Sequence, residues 1–414
     1  MPATEDTPLL NGHPTGSSPF RRFVMFLKGK DDEPGWSDSL KFLVFGTYLN
    51  VLLVFVPLSA VAHYLNWDAA LRFSFSFLAI VPLAKLLGEC TEQMSYSLGD
   101  TLAGLLNASF GNAVEIIVGV AALIQGEIRI VQTSMLGSIL SNILLVLGCS
   151  FVAGGVYKAE CNFQVTAAQA SSSLMTLACI TLVLPAAYNL AVGDSDQRGL
   201  NIISRGTSIL LLGVYIIYIY FQLRTHAFLY DPSLPRPEGV HETSDEAEMR
   251  ESFAQRGERE PVKMNLLSAA LGLLVVTVVT SFCADYLVAS IEETAERYHI
   301  PKTFIGLILL PIVANAAEHV TSVWMAMKDK MEITIGICIG SSIQIAAFVI
   351  PLLVIIGWIT GQNLTLYFAN FETVAFFVSV ILTNTLIQDG KSNYMEGVML
   401  LTLYLVIALA FWVS

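Results

Sequence analysis

Two carboxylates stand where membrane-length apolar runs should exclude them. Glu115 lies in GNAVEIIVGV (residues 111–120) and Glu318 in ANAAEHVTS (residues 314–322), so an Asn-Ala-x-Glu pattern occurs twice. A charged group inside such a run costs roughly 3 kcal/mol even on the milder scales, which makes it a functional residue by default. On a helix Asn112 and Glu115 share a face, as do Asn315 and Glu318. The apolar segment after each motif carries a polar stripe: Ser138, Ser141 and Asn142 in the first, Ser341 and Gln344 in the second. All of these offer oxygen, and Gly111 and Pro311 are points at which a helix can break and turn carbonyls inward. Two carboxylates ringed by hydroxyl, amide and carbonyl oxygens suit a hard divalent cation, Ca²⁺ first. Clustered Cys or His of a soft or zinc-type site is absent from these stretches.

The elements that must hold these residues are membrane helices. Over 414 residues, 54% are hydrophobic, 14% are charged and the mean hydropathy is +0.64, too little polar surface for a soluble chain. The net charge of −12 resides largely in termini and loops and implies no nucleic acid. The partner implied is the lipid bilayer. Six scattered cysteines without paired spacing read as packing residues. A hydrocarbon core of about 30 Å needs roughly 20 apolar residues per helix. That ruler predicts eleven spans, near 40–65, 70–95, 101–125, 130–155, 164–189, 201–225, 265–290, 303–327, 332–358, 365–388 and 393–413. With the N-terminus in the cytosol, fifteen Lys and Arg fall on the cytosolic side and six opposite, the bias expected of that orientation. The C-terminus then lies on the far side.

Glu115 and Glu318 are 203 residues apart, and the same offset sets Gly137-Ser138 on Gly340-Ser341, Ser141 on Gln344, and Glu89 with Thr91 on Glu292 with Thr294. This is an internal duplication. Five spans precede the polar linker after the first helix and five follow it, and an odd number per copy forces the second copy upside down. The predicted fold is therefore an all-α integral membrane protein, one extra N-terminal helix plus two inverted five-helix repeats. Its parts are a cytosolic tail (1–39), the extra helix (40–65), a first repeat (70–226), an acidic cytosolic linker (227–262) and a second repeat (263–414). Inverted repeats are a transporter architecture with the site at the midplane. Without a cation, desolvation and mutual repulsion favour protonation of at least one of the paired carboxylates, and an arriving Ca²⁺ expels the protons. Rocking the repeats around such a site exchanges Ca²⁺ for H⁺. Nothing suggests an enzyme or a bound cofactor, and Ca²⁺ enters as cargo. A Na⁺-driven exchanger would share the fold but needs further polar positions where Ala, Val and Ile stand. A carboxylate-lined cation channel is the third reading.

Other residues admit two readings. His319 has no counterpart, since Ile116 occupies the equivalent place; it reads as polar packing or as a proton-sensitive gate. Glu89, Glu92 and Glu292 stand near helix ends and fit either an ion-access vestibule or wetted termini. Lys85 snorkels, pairs with Glu89, or acts on a gate. Asp285 and Glu372 read as interfacial residues of lesser consequence. A second copy of the chain, forming a homo-oligomer, is a further candidate partner.

The GNAVEII and ANAAEH stretches, the GSILSN and GSSIQI segments that follow them, and the acidic linker resemble the cation/proton exchangers of fungal and plant vacuoles, within the calcium/cation antiporter superfamily. The resemblance covers nearly all of residues 40–414. It implies eleven transmembrane helices, the first outside a five-plus-five inverted core, and Ca²⁺ carried from cytosol into an acidic vacuole against returning protons. It assigns cation and proton carriage to Glu115 and Glu318, with a contribution from Ser138, Asn142, Ser341 and Gln344. Ile345 stands where the offset would place a second Asn142, so the half-sites are not equivalent.

The tail carries Glu5 four residues before Leu9-Leu10, the arrangement of an acidic dileucine signal read by sorting adaptors, which fits residence in the vacuolar membrane. In the linker, Glu242, Asp245, Glu246, Glu248 and Glu251 recur at spacings that put several on one helical face. This is either a solvated charge run or a sensor of cytosolic Ca²⁺. A sensor predicts that neutralising all five changes how uptake depends on Ca²⁺ at that side, and an unchanged dependence in vesicles returns the segment to a solvated linker.

Overall fold

The structure, a computed structural model, describes residues 34–98, 100–192, 197–229 and 262–413. Leu9 and Leu10, and the linker acids Glu242, Asp245, Glu246, Glu248 and Glu251, lie outside the described residues. In lipid a backbone must satisfy its own N–H and C=O groups, and helices do so within one segment. The described chain is accordingly helical apart from one short ladder.

Helices α1 (Trp36–Phe45) and α2 (Phe55–Tyr64), joined by a 3₁₀ turn, precede α3 (Ala69–Leu98). Then come α4 (Asp100–Phe110), α5 (Ala113–Ile124) and α6 (Ile128–Leu140), which runs through a π-helical segment (Ser141–Val146) into α7 (Leu147–Tyr157). Helices α8 (Val165–Val192) and α9 (Gln197–Tyr220) complete this half. The second half begins with α10 (Leu266–Tyr298). A rod made of α11 (Lys302–Phe304), a π segment (Ile305–Leu309) and α12 (Leu310–Ala314) then breaks before α13 (Ala316–Met327). Next, α14 (Met331–Gln344) passes through a π segment (Ile345–Val349) into α15 (Ile350–Thr360), followed by α16 (Asn370–Leu386) and α17 (Tyr394–Val413). Among the described residues seven helical runs are long and apolar enough to cross a membrane, and two bent pairs raise the number to nine; α5 and α16 are shorter apolar helices.

The stretch expected as one straight span over 40–65 is two helices meeting at 83°. Thr47 at the bend is extended, and its hydroxyl accepts from Lys85 Nζ at 2.7 Å. Lys85 also pairs with Glu89 on α3, so the bend is where α1 and α2 meet a charge pair that needs hydrogen bonds.

Every residue from Ile130 to Leu144 is buried, which places α6 and its π segment at the centre, as an apolar or small surface on all sides requires. Helix α8 instead exposes Leu177, Ile180 and Leu184. The two strands pair antiparallel, Cys161 opposite Ser392 and Asn162 opposite Lys391, and tie the turn after α7 to the turn before α17. All six cysteines are free thiols.

The starts of α6 and α16 are joined by charge. Arg129 pairs with Glu372, which is only 1% exposed and also accepts from the Ala369 N–H at 3.0 Å. Gln132 adds bonds to the carbonyls of Thr365 and Tyr367, each at 3.0 Å. Removing one partner of a bond to a charged group costs roughly 1–3 kcal/mol. Arg129→Ala is therefore expected to lower the thermal unfolding midpoint, and an unchanged midpoint would mean that water already satisfies Glu372.

Candidate functional site

The two Asn-Ala-x-Glu motifs start the second halves of two broken helices. Asn112 is the N-cap of α5 and Glu115 stands in its first turn; Asn315 is the N-cap of α13, with Glu318 in its first turn. The α12–α13 break bends the chain by 58°. The partial positive charge at a helix N-terminus favours a carboxylate in the first turn. Both glutamates are thus answered locally by their own helices. The C-terminal ends of α4 and α12, where carbonyls carry the opposite partial charge, approach the same region.

An N-cap asparagine ordinarily turns its side chain back to its own helix. Here neither does. Asn112 Nδ2 donates to Gln344 Oε1 at 2.5 Å, and its Oδ1 accepts from Ser341 Oγ at 2.7 Å. Asn315 Nδ2 donates to the Ser138 carbonyl at 3.1 Å. Asn142 Nδ2 donates to Ser341 Oγ at 3.0 Å. Each motif asparagine therefore leaves its own helix uncapped by its side chain and holds the polar segment of the other half. Gly111 allows this closeness, since a Cβ there would stand 3.2 Å from Gln344 Oε1.

Glu115 and Glu318 are near enough for their charges to repel, and Ser341 and Asn142 interact with Glu318. Among the described residues Asn142 Oδ1, Asn315 Oδ1, Ser141 Oγ and Glu318 Oε2 are buried oxygens without a hydrogen-bond partner. Unspent buried acceptors are costly unless something electropositive meets them. A cavity of about 10 Å³ adjoins Glu115, Ser134 and Ser138, room for about one water. No group of three or more His, Cys, Asp or Glu residues placed to hold a metal exists among the described residues. An ion here would meet two carboxylates completed by neutral oxygens.

The two halves differ in access. Glu115 is 3% exposed, whereas Glu318 is half-buried. Ile130, Thr133, Gly137 and Ser141 on the α6 rod are buried, while their equivalents 203 residues on behave otherwise: Ile333 and Gly336 are exposed, and Gly340 and Gln344 are half-buried. Against α6 lies the α11–α12 rod, so close that a Cβ on Gly137 would stand 2.1 Å from the Leu307 carbonyl oxygen and one on Gly306 2.0 Å from Thr133 Oγ1. The corresponding positions on α14, Gly336 and Gly340, have nothing within 4 Å. Helix α4, which would close that face, leans instead on Leu223, where a Cβ on Gly104 would lie 2.3 Å from a side-chain methyl. The site is sealed along α6 and open along α14.

The remaining candidates fall elsewhere. His319 is half-buried beside Glu318. Glu89 faces α1 and α2, held by Lys85, and Glu292 is exposed and paired with Lys302 at 2.6 Å. Glu92 is exposed and accepts from Tyr96 OH at 2.7 Å. Sequence reading passed over Ser134, whose only signal was a hydroxyl one turn before Ser138. It also gave little weight to Glu372, because the Arg129 that pairs with it lies 243 residues away.

The sequence model of the sodium/calcium exchanger protein family matches this chain twice, over residues 69–224 and 268–413. The chain is 46% identical over 374 residues to the vacuolar calcium ion transporter of Schizosaccharomyces pombe, covering 90% of this chain and 86% of that protein. It is 42% identical over 363 residues to the Ca(2+)/H(+) antiporter of Synechocystis sp., covering 87% and 96%. The solved structure of native YfkE superposes with a TM-score of 0.72 at 33% identity, covering 88% of this chain and 100% of that one.

The asymmetry separates two otherwise equivalent glycines. Gly137→Val must displace backbone, an overpacking cost of about 1–3 kcal/mol or more, whereas Gly340→Val meets open space. Thermal unfolding is expected to weaken for the first variant alone, and equal losses would mean that the face along α14 is closed in solution.

Proposed function

The chain belongs to the sodium/calcium exchanger protein family, and on that premise we propose that it is a Ca²⁺/H⁺ antiporter of the vacuolar membrane. The observation that carries this reading is the pair Glu115 and Glu318, facing each other at the breaks of two helices, with unspent oxygens of Asn142 and Asn315 nearby. Eleven spans follow when α4–α5 and α16 are counted with the nine by length. The double family match supports two copies of one five-span unit, inverted by their odd span number. With the N-terminus cytosolic, the open face along α14 is cytosolic and the sealed face along α6 is luminal.

The cycle follows from the geometry. Ca²⁺ reaches Glu318 from the cytosolic face and takes up carboxylate and amide oxygens at the cost of bound protons. One carboxylate pair cannot hold both ligands, because Ca²⁺ needs the ionised form that protons remove. Transfer requires α4 to approach α14 as the α11–α12 rod now approaches α6, and the rod to part from α6. A site reachable from one side at a time couples the two fluxes, whereas a channel would leak. The Na⁺-driven alternative is separated by the driving ion rather than the fold.

Glu115→Gln and Glu318→Gln keep shape but remove charge and titration, so either is expected to abolish Ca²⁺ uptake driven by a pH gradient in sealed liposomes. Lowering pH on the open side should weaken Ca²⁺ binding to the unaltered protein, since protons compete for the same oxygens, and binding to the Gln variants should lose that dependence. Normal uptake by either variant, or uptake that follows a Na⁺ gradient and ignores pH, would sink the proposal. Glu89, Glu292 and His319 lie outside the direct ligand set in this reading.

A further inference from the structure

The outward stripe of α8 runs Leu184, Ile180, Leu177, Ser173, Gln169, all but the two polar residues being large exposed apolar side chains. The outward stripe of α16 runs Val374, Val378, Ile381 and then Thr385, with Gln388 exposed in the turn just beyond the helix. Both change from apolar to polar toward the same end, that of the strand ladder. Between them lies a cleft of about 400 Å³ whose polar lining, among the described residues, is made of hydroxyls and amides, with Ile381 and Ile387 as its apolar wall. Deeper in the cleft Asn384 Nδ2 donates to Thr176 Oγ1 at 2.6 Å.

The apolar part of this surface is short. From Leu177 to the end of α8, and from the start of α16 to Asn384, the helices rise about 24 Å and about 22 Å at 1.5 Å per residue, less than a hydrocarbon core of about 30 Å. The polar cleft therefore sits within the outer part of that core, continuous with the lipid-facing belt. Ser173, Thr176 and Thr385 each donate to a carbonyl one turn back, at 2.9, 2.8 and 2.9 Å, so their hydroxyl oxygens face the cleft as acceptors while Gln169 and Gln388 supply amide donors. Glu332 at the start of α14 accepts from the Gln164 N–H at 3.1 Å, so the cleft is on the side to which Glu318 opens.

We propose that the cleft holds the polyhydroxylated head of a membrane lipid from that leaflet. Its volume is that of a small-molecule site. Among the described residues no guanidinium or ammonium lines it to select a free phosphate, and no carboxylate lines it to select a choline or ethanolamine cation. Arrays of neutral donors and acceptors match arrays of hydroxyls, as in inositol or sugar heads, while the acyl chains of such a lipid lie along Leu177, Ile180 and Ile381. A concave, two-walled cleft fits this occupant better than the broad surface of a second copy. Thr383, the buried residue between Leu382 and the cleft residue Asn384, donates its hydroxyl to the Ile143 carbonyl at 3.4 Å, one residue from Asn142 of the ion site.

The test uses purified full-length protein in detergent, with phosphatidylinositol and a phosphate-free digalactosyl lipid as probes and phosphatidylcholine as reference. Both polyol lipids are expected to raise the unfolding midpoint and to appear as bound mass by native mass spectrometry, with phosphatidylcholine inert. The double variant Ser173→Leu with Thr385→Leu continues the apolar stripes and should lose both responses while Ca²⁺ still protects it from unfolding. If it does not purify as a single species, Ser173→Ala with Thr385→Val serves in its place. An equal response to phosphatidylcholine, or an undiminished response in the variant, overturns the proposal. So does a wild-type mass of two copies that falls to one in the variant, which would assign the cleft to an interface between copies.

Discussion

Two negative charges facing each other inside a hydrocarbon-spanning bundle set the terms for everything around them. Among the described residues neither Glu115 nor Glu318 has a basic partner, and a fixed ammonium would compete with any cation for the same oxygens. The fold answers with dipoles instead. Each glutamate occupies the first turn of a helix that begins at mid-depth, so partial positive charge is supplied by backbone that cannot leave or bind a proton. Breaking two helices for this purpose exposes peptide groups, and only the most buried part of the bundle, around α6 and α14, can accommodate them. The central position of these polar-striped helices thus follows from the carboxylates.

Much of this was legible in the sequence because burial of charge is rare enough to be informative. Glu115 and Glu318 stood out against apolar neighbours, and a single offset tied them to Ser138, Ser141 and Gln344. The direction of the Asn112 and Asn315 side chains was not legible. Local rules send an N-cap amide to its own helix, and tertiary contact overrode them. The 83° bend near Thr47 escaped a hydropathy scan because a bent apolar run and a straight one have the same composition. Glu372 escaped because its meaning depends on Arg129, distant in sequence and adjacent only once α6 and α16 meet.

The difference between the faces along α6 and α14 has another origin. Gly137 and Gly340, or Ile130 and Ile333, are identical residues in equivalent places, yet one member of each pair is packed and the other is not. In the proposed cycle each face takes both arrangements in turn. Which one is adopted is a property of state, and it is visible only in coordinates. Close glycine contacts define the sealed face sharply, since Gly306 and Gly137 leave no slack for a side chain.

The exchange of amide partners between halves has a consequence for how such a chain can change over generations. The Asn112 amide N–H donates to Gln344, 232 residues away, and that of Asn315 to the main-chain carbonyl of Ser138. A change at Gln344 strands an amide in the opposite half, so drift at one position is tolerated only with a matching change at the other. Asn315 leans on a main-chain carbonyl, which no substitution at Ser138 removes. The two asparagines, alike in motif and position, are therefore under unequal constraint: the first depends on the identity of distant side chains, the second on a main-chain carbonyl.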